Sequence, residues 1–192
     1  ISYHIISYHI MSYHIISCQI LPSTPSHHIS TPPTHQNNET KVFETTSRGQ
    51  TVLHTGKNNL IETIEQLHSD GFKVCIDITA VDYLEDPERD LPEEIIPERF
   101  ELVINLLSHQ KRDRVRLRIQ VPETEPTVPT LFDIYPGTEA LEREVHDLFG
   151  INFDGHPDMT RILMPENWEG HPLRKDYDFG DIPVQFKEAP GS

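Results

Sequence analysis

Apolar residues along this chain change their period several times between residues 57 and 150. Leu60, Ile61, Ile64 and Leu67 fall at i, i+1, i+4 and i+7, one stripe of a helix over 57–70. Asn58 or Asn59 is placed to cap its start, and Gly71 suits the left-handed position after its end. From 72 to 81 the period drops to two. Phe72, Val74, Ile76, Ile78 and Ala80 share one face, with Lys73, Cys75, Asp77 and Thr79 opposite, which predicts a half-buried strand. A second strand is expected over 99–108 and a third over 113–121, where Val115, Leu117, Ile119 and Val121 alternate with Arg114, Arg116 and Arg118. The short polar link between the last two predicts an antiparallel hairpin. The arginine stripe either docks an acidic partner or pairs with an acidic loop of the same chain. Nearness in sequence favours the loop.

That loop is residues 82–98, with Pro87, Pro92 and Pro97, and it reads as a solvated connector. Residues 122–136 carry four prolines and read as an irregular crossing. Leu141, Val145, Leu148 and Phe149 form the stripe of a helix over 138–149, which Gly150 ends. The last 42 residues have only short apolar runs, such as Ile162-Leu163-Met164, and read as an extended tail lying on another surface. The expected class is α+β: one two-layer domain with a small mixed or antiparallel sheet, flanking helices and a long irregular C-terminal tail. Its divisions are an extension over 1–38, a domain over 39–150 and an interaction tail over 151–192.

The extension is unlike the rest. Residues 1–20 repeat ISYHI with a period of five, which lines up no apolar face on a strand or a helix. A Pro/Ser/Thr/His stretch of disordered composition follows to 38. Six of the twelve histidines lie here, at 4, 9, 14, 27, 28 and 35. They read either as a metal-binding tract or as a repeat-derived extension translated from upstream of the true start. The second reading is preferred, with Met11 one candidate start. No signal peptide is expected, since no basic segment precedes an apolar one.

Composition narrows the function. Residues 1–38 contain no Lys, Arg, Asp or Glu, so the whole net charge of −15 lies in residues 39–192. That balance argues against nucleic-acid binding, which needs a basic footprint. Two cysteines, Cys18 and Cys75, imply no disulfide framework, which fits a reducing compartment, and cannot hold an iron–sulfur cluster alone. No apolar run reaches the length of a membrane span, so membrane association would come through partners. Glycine-rich nucleotide loops and a nucleophile elbow are both missing.

Glu142 and His146 stand at i, i+4, with His156 and His171 downstream in Gly-His-Pro turns. They could share a metal, but the HExxH order is absent. The alternative, helix-surface charge and turn histidines bonded to backbone, is preferred. Arg143 and Asp147, also at i, i+4, could pair on the helix surface. Trp168, Tyr177 and Phe179 among Glu142, Glu144, Arg161, Arg174, Lys175 and Asp176 have the makeup of an interface.

One compound motif is more specific. It runs from Glu142-Arg143-Glu144 through Asp147-Leu148-Phe149-Gly150, Gly155-His156-Pro157 and Arg161-Ile162-Leu163-Met164-Pro165. It continues through Trp168-Glu169-Gly170-His171-Pro172 and Arg174-Lys175-Asp176-Tyr177 to Ile182-Pro183-Val184. About a quarter of the chain is involved. This stretch closely resembles the C subunit of the proton-pumping NADH:quinone oxidoreductase, the respiratory complex I family. Two positions depart from the family pattern: His146 stands where an aromatic residue is usual, and Asp178 where Pro is usual.

The resemblance implies a peripheral-arm subunit on the cytoplasmic face of the cell membrane. Its partners would be the large quinone-site subunit and the cluster-bearing subunit beside it. FMN, iron–sulfur clusters and quinone would belong to the complex, none of them bound by this chain, which would be a non-catalytic subunit of an enzyme. The interface residues implied are Glu142, Arg143, Glu144, Asp147, His156, Arg161, Trp168, His171, Arg174, Lys175, Asp176 and Tyr177. Arg161, Arg174 and Lys175 would pair with acidic groups on the large subunit. A related hydrogenase or other quinone-linked oxidoreductase is the next reading, and a stand-alone metalloenzyme using Glu142, His146, His156 and His171 the last.

Overall fold

Two long alternating strands, paired as a hairpin, form the middle of a sheet that further strands extend on both sides. The structure is a computed structural model and describes residues 42–178. The repeat, the linker to 38, Phe179 and Ile182-Pro183-Val184 lie outside the described residues.

The elements in chain order are β1 Phe43–Ser47, β2 Gln50–Thr55, α1 Leu60–Ser69, β3 Val74–Asp82, β4 Phe100–Ser108, β5 Asp113–Val121, β6 Thr127–Pro129, α2 Glu139–Phe149 and β7 Asn152–Asp154. Five strands form a mixed sheet in the order β1-β2-β5-β4-β3. β2 runs parallel to β5 and every other pair is antiparallel. β6 and β7 form a small parallel pair. The expected α+β class holds, with β4 and β5 joined as the predicted hairpin.

β1 and β2 are the elements the apolar pattern did not predict. They join through Arg48 and Gly49, both at positive φ (51° and 75°), as a two-residue hairpin turn of matching twist requires. Along β2, β3, β4 and β5 the register sets one face against the helices. Leu117, Ile119, Leu102, Ile104 and Ile78 lie there with Leu60 and Ile64 of α1 and Val145 and Phe149 of α2.

Three local expectations are corrected. β3 contains a bulge: Cys75 pairs with Leu106 and Asp77 with Asn105, so Ile76 is an extra residue. The bulge shifts the phase. Val74 and Ile76 are exposed and Cys75 packs against the core. Within the strand only Ile78 and Ala80 keep the predicted face, while Phe72, just before it, is buried as expected. Asn59 stands at the N-cap of α1 but makes no side-chain cap bond, because a 3-10 turn over Lys57–Asn59 precedes the helix. Gly71, at φ 97°, ends α1 as expected. The acidic loop is no solvated connector throughout. Arg89 folds back from it, donating to the Glu98 carbonyl and to Gln120 and stacking on Tyr83.

The crossing segment is also better packed than its prolines suggested. Val128 of β6, Leu131 and Tyr135 join the core, and the Tyr135 hydroxyl donates to the Phe72 carbonyl at 2.6 Å. The arginine stripe does not meet the acidic loop as an ion pair. Arg118 donates to Glu101 on the neighbouring β4 at 2.7 Å, and Arg116 to Asn105 at 3.2 Å.

Candidate functional site

In α2 the apolar stripe shares the buried face with two acids. Glu142 and Asp147 are both fully buried, while Leu141 and Leu148 are half-buried. Burying a carboxyl without partners is costly, so both must be satisfied. Glu142 accepts from the Leu131 N–H at 2.8 Å, the Thr138 hydroxyl at 2.9 Å and the Thr130 hydroxyl at 2.5 Å. It therefore anchors the crossing segment to the helix.

Asp147 anchors the chain beyond the helix. Its Oδ2 accepts three consecutive backbone N–H groups, from Ile162 (3.1 Å), Leu163 (2.8 Å) and Met164 (2.8 Å). Arg161 donates to its Oδ1 at 2.5 Å and to the Gly170 carbonyl at 2.9 Å. Burial pushes the Asp147 carboxyl up, but the backbone N–H groups and Arg161 outweigh burial and hold it below the usual carboxylate range.

A second buried carboxylate holds the far end. Asp82 closes β3 and accepts from Arg99 at 2.9 and 3.1 Å and from the Lys175 N–H at 2.9 Å. Arg99 also meets Asp176 at 2.6 Å and Glu123 at 2.5 Å. Here too burial raises the Asp82 carboxyl, and Arg99 with two backbone N–H groups lowers it further, for a net downward shift.

Residues 161–177 thus form a strap pinned at both ends to the domain. In the middle, Arg174 donates to the Phe149 carbonyl at 2.6 Å, and the Leu173 N–H bonds the Leu148 carbonyl at 3.0 Å. His171 Nδ1 lies 3.0 Å from the Asp147 carbonyl, and burial lowers the His171 pKa, favouring the neutral ring as donor.

Gly150 is what lets the strap approach. It has φ 73°, and a Cβ there would lie 2.5 Å from both Arg174 Nη2 and His171 Nε2. Gly150→Ala is expected to cost about 2 kcal/mol from left-handed strain and steric clash. Urea unfolding checks the size, and cleavage at Arg161 or Arg174 by trypsin checks that the strap loosens first.

Several residues expected at the interface already have partners within the chain. Arg161 meets Asp147 and the Gly170 carbonyl, and Arg174 meets the Phe149 carbonyl. Among the described residues Lys175 makes no ion pair and is exposed, and Glu144 is exposed as well. Arg143 pairs with Glu139 at 2.9 Å and with Thr160, and not with Asp147 as the i, i+4 spacing suggested. His156 lies against the Glu139 carbonyl at 3.2 Å, and Tyr177 packs against Gly170. What the strap turns outward is apolar: Ile162, Leu163, Trp168 and Leu173 are 40%, 57%, 39% and 48% exposed.

Among the described residues the geometry does not assemble the ligand set of the metal reading. The carboxyl of Glu142 is occupied by three donors from the chain, and His156 is tied to a carbonyl away from it. His146 meets His171 only edge to face, at 6.2 Å. Among the described residues no group of three or more His, Cys, Asp or Glu is placed to hold a metal. Burial pushes the Cys75 thiol up to about 12, which leaves it un-ionised and a poor nucleophile.

A sequence model of the family described as "Respiratory-chain NADH dehydrogenase, 30 Kd subunit" matches residues 53–182. The chain belongs to this family. The match runs from the middle of β2 through β7, with both helices and the whole strap, and leaves out β1 and the start of β2. The C subunit of the NADH-quinone oxidoreductase of Saccharopolyspora erythraea is 40% identical over 154 residues, covering 79% of this chain and 58% of the relative. The corresponding protein of Nocardia farcinica is 40% identical over 145 residues, 74% of this chain and 54% of the relative. The chain thus spans little more than half the length of these relatives.

Two solved structures have a fold similar to that of this chain. The trypsin-resistant fragment of Nqo5 is 33% identical, with a TM-score of 0.55, over 61% of this chain and 89% of the fragment. A chain of the membrane-bound sulfane sulfur reductase, an archaeal respiratory membrane complex, is 25% identical with a TM-score of 0.60, over 72% of this chain and 78% of that one. Among the described residues no helix is long and apolar enough to cross a membrane.

Proposed function

We propose that this chain is a structural subunit of the peripheral arm of a proton-translocating NADH:quinone oxidoreductase. It supports assembly beside the quinone site and carries no redox centre. FMN, iron–sulfur clusters and quinone belong to other subunits, and the chain lies on the cytoplasmic face of the membrane, held through its partners. Membership of the 30 kDa family and the NADH-quinone oxidoreductase relatives support the choice of complex.

The observation that carries the reading is the strap. A segment with little apolar cover of its own is fastened from behind by two buried carboxylates while four large apolar side chains face outward. Fastening an exposed apolar row at fixed geometry lowers the entropy lost on docking. Its ligand is a protein surface, in this reading the large quinone-site subunit, with Lys175 and Glu144 as polar rim.

Leu163→Glu with Trp168→Glu tests this. Both side chains face outward, so the stability of the isolated chain should change by less than about 1 kcal/mol. Co-purification of the tagged chain with the flavin, cluster and membrane subunits from mild-detergent membranes should be lost. Full assembly and undiminished NADH:quinone activity in the double variant would refute the docking role. A second reading, the same subunit role in a different respiratory membrane complex, is favoured by the likeness to the sulfane sulfur reductase chain. The same purification separates them, since only the first predicts NADH- and flavin-binding subunits.

A further inference from the structure

The sheet face turned away from the helices carries a groove that the strap does not touch. Register places Val52 and His54 of β2, Arg116 and Arg118 of β5 and Glu101 and Val103 of β4 on its floor. Residues 45–47 of β1 form one wall and residues 90–92 of the acidic loop the other, around a space of about 610 Å³.

Two of its polar groups are only partly used by the described residues. His54 is 2% exposed, and its Nε2 lies 3.0 Å from the Thr45 hydroxyl, but among the described residues its Nδ1 has no hydrogen-bond partner. Buried ring nitrogens are rarely left so, because the lost hydration is not recovered. Arg116 gives its Nε to Asn105, and among the described residues its guanidinium meets no carboxylate. Arg118 differs: Glu101 neutralises it at 2.7 Å. With the Thr45 hydroxyl donating to Nε2, a neutral His54 carries its proton on Nδ1. The groove floor then offers an N–H and a free guanidinium edge, the donor set that takes a carboxylate. Asp90 at the rim is exposed, so its charge is screened by solvent.

We propose that this groove receives an extended segment of a partner subunit, which places a carboxylate on Arg116 and His54. The inference rests on the subunit role argued above. An extended chain is preferred to a small acid because β1, at the rim, is an edge strand of the sheet among the described residues. A chain that crosses this rim can pair with the outer backbone groups of residues 45–47, which a small acid cannot do. The groove and the strap then give the protein two docking surfaces, one on each face of its domain.

The test uses the full chain in the assembled complex, with a photo-reactive phenylalanine analogue in place of Ser47, which is exposed and shares the groove face with Thr45. Illumination should cross-link the chain to another subunit, and mass spectrometry should map the adduct to a segment containing Asp or Glu. Arg116→Glu should cut that adduct at least about tenfold, as expected for loss of a desolvated charge pair, while co-purification through the strap persists. Arg116→Gln, a milder change, should act in the same direction. Arg114→Glu, on the same sheet face beyond the groove, should leave the adduct intact. An adduct within this chain only, no adduct in an assembled complex, or an adduct indifferent to both Arg116 variants would overturn the proposal while sparing the subunit role. A chain that never co-purifies would overturn both.

Discussion

Asp147→Ala is expected to release the strap and to destabilise the domain by about 3–5 kcal/mol, the range for breaking a buried ion pair from one side. The carboxylate is fully buried, and four donors converge on it: Arg161 and the N–H groups of Ile162, Leu163 and Met164. Removing it strands three adjacent backbone donors and one guanidinium. These can regain hydration only if the 161–164 turn leaves the surface, so the strap should open before the sheet does. Asp147→Asn should be nearly as damaging, because an amide offers one acceptor oxygen where the carboxylate uses two.

Urea unfolding reads the loss, and trypsin cleavage at Arg161 reads the opening. A variant within about 1 kcal/mol of the parent with Arg161 still protected would show that the latch is not structural. The pH dependence has a definite sign. The folded-state pKa of Asp147 is depressed, so its contribution is present above the unfolded value of about 4 and is lost as pH falls through the lower folded value. Asp82 and Asp176 shift the same way. Acidification below about pH 4 should therefore loosen both ends of the strap, and Asp147→Ala should show a smaller acid-dependent loss than the parent.

Glu142→Ala should cost about 3 kcal/mol, since it leaves the Leu131 N–H and two threonine hydroxyls without an acceptor and opens a cavity. Leu131 is itself 1% exposed, so water reaches its N–H only if the crossing segment moves. Glu142→Gln should cost only about 1 kcal/mol. Its amide oxygen still accepts, and one threonine hydroxyl can turn to accept from the amide N–H. Near-equal losses for the two variants in chemical denaturation would contradict this account, because they would make negative charge, not acceptor geometry, the essential feature. The pair also separates Glu142 from a metal-ligating role, which Gln would not preserve.

Both residues show how a helix pattern misleads. Leu141, Val145, Leu148 and Phe149 correctly predict where α2 lies and which way it faces. The same periodicity files Glu142 and Asp147 as surface charge, because side chains are judged there by their solvation alone. Apart from Thr138, their partners come from 11 to 17 residues away, on segments too rich in turns to be placed from their own pattern. The hairpin of β1 and β2 escapes the pattern for a related reason. Its turn is Arg-Gly, and only Gly is a strong turn signal. The bulge in β3 leaves no trace at all: Phe72, Val74, Ile76, Ile78 and Ala80 alternate without a break, and the slip appears only where the strand pairs with β4.

What the sequence determined by itself is the α+β class, α1, α2 and the β4–β5 hairpin, the stops at Gly71 and Gly150, and the family. These are properties of local periodicity, backbone permissiveness at glycine and a long specific string of residues. What only the tertiary structure decided is where the charges of that string go. Arg161, Arg174, Asp147 and Asp176 look free for a partner when read in order, yet they hold the strap to the domain, and the apolar side chains between them face out. The reason is that a charge is assigned by what desolvates and neutralises it, and at these positions those groups are brought together only when β3, α2 and the strap pack against one another.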